Sequence, residues 1–336
     1  MEEIEYKVTY DGGFWKNKGY AGKEIKVNRE FQWGNEKWKI PSVYICGKGL
    51  VVDFCKEADP EKIKAYIDKW DLIKEEGDSY TREQMEQMQS ENPLSAEFQS
   101  EIILNGKKLQ EHHGCGIFWL PPNCLKEEEE ADQDTKRVLE HYGLDLSRGW
   151  SVFRQAFLWA TKRSPVMKSL VVNMEQNPVR VSGMHFQSPS VGDQIRFTHP
   201  VTGIEHILHV HEYKEEQVDA KCFGDEDMEY PTHYTAMTYT ISPDLEEQSF
   251  LIQDYGEGDR PRRKSVRADE FGEAAACSVA VIGGADGPTA IFVAKGNSEK
   301  MRVACSSLHF EKKSEIEWQM LFYKKMMEDI CVTIIG

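Results

Sequence analysis

The chain lacks most of the signals that sort a protein quickly. No run of about 18 apolar residues occurs, the minimum for a membrane-crossing helix. It begins Met-Glu-Glu-Ile-Glu, without a basic n-region or an apolar h-region, so no secretory leader is expected. Basic charge is scarce. The net charge is −16, and a protein that grips a nucleic-acid backbone needs a basic footprint. The one dense basic group, Arg260, Arg262, Arg263, Lys264 and Arg267, is bracketed by Glu257, Asp259, Asp269, Glu270 and Glu273. It reads as a solvated mixed-charge loop, and nucleic acid is not expected as a partner. The eight cysteines are scattered, with no C-x-x-C pair and no zinc-like spacing. Several lie in apolar runs where a free thiol behaves as a small hydrophobe, so reduced thiols and a cytoplasmic location are expected.

What is present is a globular composition. With 336 residues, 40% hydrophobic and 29% charged, the chain is long enough for two domains with their own cores. Strand signals dominate. Ser42–Cys46 and Gly49–Phe54 flank Gly47-Lys48 as a hairpin, and 97–104 reads as a strand before the turn signal Asn105-Gly106. Asp59-Pro60 opens a helix whose Ile63, Tyr66, Ile67 and Trp70 share a face. The acidic run Lys126–Gln133 marks a domain boundary near 130. A helix follows over 134–142, capped by Gly143. Val152, Phe153, Ala156, Phe157 and Ala160 predict a second helix over 150–161, and Ile316, Met320, Tyr323 and Met327 a terminal one over 314–329. Between them lie alternating strands, including Gln194–His199 and Glu205–Tyr213 across Pro200-Val201-Thr202-Gly203. The expected fold is α+β, with predominantly antiparallel sheets or a partly open barrel under covering helices: a small β-rich domain over 1–130 and a larger α+β domain over 131–336.

Two constellations carry candidate chemistry. The first is Ile282-Gly283-Gly284-Ala285-Asp286-Gly287-Pro288-Thr289-Ala290-Ile291. Its glycines permit positive φ and close backbone approach, and Asp286 is able to bind a cation or make an Asx turn. Gly283, Gly284, Asp286 and Gly287 are therefore candidate ligand-binding residues. The segment resembles one from the membrane-embedded beta subunit of sodium-translocating decarboxylases, where the matching aspartate is implicated in sodium and proton movement. The resemblance implies an accessory role in a decarboxylase or transport complex. It does not imply transport by this chain alone, which lacks that family's hydrophobic spans.

The second is the group His199, His206, His209 and His211. On a regular strand His209 and His211 share one face. Gly203-x5-His209-x-His211-x3-Glu215 resembles the first metal motif of the cupin barrel, which implies His209, His211 and Glu215 as ligands to a divalent transition metal; His233 or His309 is available as a third histidine. No second cupin motif follows, and Cys222 stands where a glycine is expected. His112-His113 ahead of Cys115 offers an imidazole beside a thiol. No catalytic motif is complete, so the leading expectation is a non-catalytic binding or structural module with a small-molecule or protein partner. The alternatives are a cupin-like metal-dependent enzyme and the accessory protein.

Overall fold

In the computed structural model, residues 6–15, 19–72, 80–125, 132–161, 164–219, 223, 228–263, 291–292 and 300–336 are described. Two compact units emerge. One comprises Met1–Pro178 with Lys325–Gly336, the other Val179–Lys324. The expected boundary near 130 falls inside the first. Among the described residues every strand pairing is antiparallel, and a few helices accompany the sheets, which makes the fold α+β.

The first unit contains β1 (Lys23–Trp33), β2 (Glu36–Ile45), β3 (Gly49–Ala58), α1 (Pro60–Trp70), α2 (Arg82–Glu91), β4 (Phe98–Leu104), β5 (Lys107–Lys108), β6 (Gln110–Trp119), α3 (Gln133–His141), β7 (Gly149–Leu158) and β8 (Leu170–Gln176). One sheet has the order β1-β2-β3-β7-β6. Its one face buries Tyr44, Val51, Cys55, Val152 and Ala156 with Val138 and Leu139 of α3. Its other face buries Trp38, Ile40, Leu50, Phe54 and Phe157 with Ile102, Leu104, Val172 and Met174 of β4 and β8. The layers therefore run helix, sheet, sheet.

Local chemistry sets these elements. Asp59 caps α1 by accepting from the Glu61 N–H at 3.1 Å, Pro60 occupies its first turn, and Ile63, Ile67 and Trp70 are buried. A Cβ on Gly149 would collide with Ile63 Cδ1, so glycine lets α1 lie on the start of β7. Asn105 and Gly106 both have positive φ, 49° and 77°, as a two-residue hairpin turn requires. Gly143 has φ 61° just beyond α3, the left-handed exit expected there.

The second unit contains β9 (Val179–Gln187), β10 (Gln194–Thr198), β11 (Glu205–Gln217), β12 (Met228–Glu229), β13 (His233–Ser242), β14 (Phe250–Asp254), β15 (Arg262–Arg263), β16 (Ile291–Phe292), β17 (Met301–Cys305) and β18 (Glu317–Lys324). The order β10-β11-β13-β17-β16 forms one sheet, β14-β18-β9 a second and β12-β15 a two-stranded ribbon. Leu208, Val210, Met237 and Tyr239 pack against Phe250, Ile252, Trp318, Met320 and Phe322. After β18 the chain returns to the first unit as β19 (Ile330–Ile335), which gives the order β19-β8-β4-β5.

Two expected helices are strands. Residues 150–161 contribute β7, and 314–329 contribute β18. Both strands are central in their sheets and nearly continuously buried. A strand covered on both faces is apolar at successive positions, and periodicity alone cannot separate that from one side of a buried helix.

Candidate functional site

In the first unit, β1 and β2 set Glu24 opposite Tyr44 and Lys26 opposite Ser42. Residues two apart on a strand share a face, so all four project together, on the face that carries Tyr44 toward α3. Asn28, with φ 45°, lies where the register shifts between Lys26 and Arg29. The C-terminal end of α3 supplies Glu140 and His141, followed by Tyr142 and Gly143. Between strands and helix end lies a cleft of about 250 Å³, lined by Glu24, Lys26, Asn28, Ser42, Glu140 and His141 among others.

Glu24 organises the cleft. Its Oε1 accepts from Ser42 Oγ at 2.5 Å and from Tyr44 OH at 3.3 Å, and lies 3.0 Å from His141 Nε2. Burial is the largest influence and opposes ionisation. The bonds from Ser42 and His141, with the imidazole's charge, outweigh it and hold the carboxyl below its ordinary range. The carboxylate is about three-quarters buried, so solvent screens it only in part. A helix C-terminus adds partial negative charge beside it.

Behind the cleft runs a buried hydrogen-bond chain. Tyr44 OH lies 2.8 Å from Tyr142 OH, which donates to Asp53 Oδ2 at 2.5 Å. Arg154 grips Asp53 with two bonds, Nε to Oδ1 at 2.9 Å and Nη2 to Oδ2 at 2.7 Å. It also donates to Tyr6 OH and to the Gly13 carbonyl, and its guanidinium lies over the Phe14 ring. Burial first, then the Asp53 charge, drive the Tyr6, Tyr44 and Tyr142 phenols upward. They therefore act as neutral hydrogen-bonding groups, and the chain holds the floor of the cleft rigid.

This is not a nucleophilic triad. Ser42 donates to Glu24 rather than to His141, and a triad serine must reach its base. Burial likewise raises the Cys115 thiol, so it lacks the thiolate character of a nucleophile.

The sequence-derived candidates lie elsewhere. Gly283, Gly284, Asp286 and Gly287 fall outside the described residues. His209 pairs with Thr240 and Glu215 with Thr235, and the register shifts between Val210 and Glu212. Thr240 and Thr235 are five apart on β13, so His209 and Glu215 face opposite sides of the sheet. His211 bonds Thr240 Oγ1 at 2.9 Å, whereas Glu215 pairs with Lys312 at 2.9 Å. The small cavity beside Glu215 is also lined by His233 and His309. Among the described residues no group of three or more His, Cys, Asp or Glu is arranged to hold a metal ion.

The other two histidines of that group are packed. His199 Nδ1 accepts from the Val201 and Thr202 N–H groups, and its ring lies 4.5 Å from that of Phe322. His206 Nδ1 lies 2.7 Å from the Pro243 carbonyl oxygen. Burial, then the charge of His206, lower the His199 pKa.

No helix among the described residues is long and apolar enough to cross a membrane. No protein-family model, curated protein or solved structure matches the chain. Sequence reasoning missed Glu24, Ser42 and His141. The available signal was the strand alternation that puts Glu24 with Lys26 and Ser42 with Tyr44.

Proposed function

We propose that this protein is a non-catalytic binding module whose first unit takes a small cationic ligand, an amine or guanidine, in the cleft between β1, β2 and the end of α3. One observation carries the reading: a largely buried carboxylate, kept ionised by three hydrogen-bonding neighbours, faces a cleft of ligand size. In a partly desolvated recess Glu24 favours a cation, which takes the place of the His141 imidazole beside the Glu24 Oε1, and the helix end and Glu140 reinforce that field. Lys26 and Asn28 at the same opening supply polar contacts for the remainder of the ligand. The six described cysteines are free thiols, which supports a reducing, cytoplasmic setting.

Thermal-shift and calorimetric titrations with arginine, agmatine, ethylenediamine and methylguanidine test the reading. At least one of them stabilises the wild-type chain and fails to stabilise Glu24→Gln. Stabilisation of both chains alike, or of neither by any of the four, overturns it.

A further inference from the structure

Consecutive residues on a regular strand point to opposite faces, so the rings of His112 and His113 in β6 are expected to diverge. They converge instead. Glu111 pairs with Phe157 and His113 with Ala156, which makes His112 the extra residue of a bulge on the outer strand of the five-stranded sheet. A bulge re-aims side chains. The two Nδ1 atoms lie 2.9 Å apart and the ring centroids 5.0 Å apart. Tyr10, itself buried, stacks on His112 at 5.7 Å and meets His113 edge-on at 5.5 Å.

Two neutral imidazoles in this contact share one proton between two nitrogens. A metal ion takes both nitrogens once each ring turns by about 45°, because the ion lies about 1.45 Å off the line between them rather than on it as the proton does. With metal–nitrogen bonds of about 2.05 Å, nitrogens 2.9 Å apart subtend about 90° at the ion, whereas a tetrahedral ion needs them about 3.3 Å apart. Adjacent right-angle positions belong to tetragonal Cu(II) or Ni(II), both of which favour imidazole. Asp11 lies within electrostatic reach of both imidazoles, with its charge balanced by Lys48 at 2.6 Å. His112 is exposed and His113 half-buried, so water has access to the remaining positions.

We infer that His112 and His113 form a two-imidazole site, through their Nδ1 atoms, for a single divalent ion of the Cu(II) or Ni(II) type, with solvent completing its shell. The site stands apart from the proposed cleft, which adjoins β1 at the opposite edge of the same sheet.

Equilibrium dialysis of the tag-free, full chain against Ni(II) tests it, with His112→Gln and His113→Gln as single variants and His209→Gln/His211→Gln as the control. One Ni(II) per chain binds tightest. Each single variant forfeits the gain from linking two ligands, a loss on the order of a hundredfold in affinity, and the control leaves it unchanged. Far-UV circular dichroism verifies that the variants fold. In the unaltered chain, substoichiometric Cu(II) broadens the NMR signals of residues 10–13 and 110–114 first, which locates the ion without any substitution. Absence of a stoichiometric Ni(II), affinity unaffected by both single variants, loss that follows the control, or Cu(II) broadening centred elsewhere overturns the proposal.

Discussion

The two units bury charge differently. The first buries an ion pair: Asp53 and Arg154 are almost wholly enclosed, and three tyrosines tie them to a cleft at the surface. The second buries single charges whose partners are exposed or are backbone groups, Arg302 on the exposed Asp244, and Asp254 on the N–H groups of Gly256 and Ser307, together with the Gln253–Gln319 amide pair at 2.9 Å. A buried charge tolerates no partial loss, because removing one partner leaves the other uncompensated. A neutral pair is more forgiving. The fully enclosed Asp53–Arg154 pair is thus more brittle than the amide pair, and it is the one that adjoins the proposed cleft.

The largest effect should come from Arg154→Met, which strands Asp53: a loss of about 3–5 kcal/mol, seen as early unfolding of the first unit by hydrogen–deuterium exchange of β3 and β7. The double variant Asp53→Asn/Arg154→Met should recover part of that. If the single variant costs no more than a neutral substitution, the contrast between the units disappears. Gln253→Leu should cost about 1–3 kcal/mol by leaving polar atoms of Gln319 poorly satisfied in the core, measured as a shift in the denaturant midpoint of the second unit.

Acid should separate the units by pH. His199 has a lowered folded pKa, so its neutral form is favoured on folding. Its contribution is complete above the unfolded value of about 6.5 and is lost as pH falls from there through the folded value. Glu24 is also lowered, but its contribution persists down to the unfolded carboxyl value of about 4.3 and is lost below it. Exchange in β11 and β13 should therefore quicken in mild acid before Glu24 begins to act on β1 and β2. His199→Asn should flatten the first slope and Glu24→Gln the second; identical profiles in variant and parent would dissolve the distinction. The smallest effect is Asp59→Ala, about 1 kcal/mol from loss of the α1 cap, read from the thermal midpoint.

Features written in adjacent residues were legible in the sequence. Asp59-Pro60 starts a helix, Asn105-Gly106 makes a tight turn and Gly143 ends α3, because each acts through its own backbone. The sheet-rich character was legible too, since alternation reports one buried face. Gly149–Leu158 and Glu317–Lys324 were not, because burial on both faces erases that alternation. Nor were the sites, for a different reason. A single irregular residue sends His209 and Glu215 to opposite faces of β11, while another draws neighbouring His112 and His113 together on β6. Spacing rules presume a regular strand. Glu24, Ser42 and His141 meet only because pairing and packing bring distant segments together.

The discontinuous path of the first unit also bears on how the protein is made. β19 pairs with β8, yet all of Val179–Lys324 is translated between them. Domains fold as they emerge from the ribosome, so the unit begun first is completed last. Until Ile330–Ile335 arrives, β8 presents an unpaired edge, the kind of surface that invites association with other chains. A nascent chain stalled before residue 330 should thus depend on chaperones more than the full-length protein does.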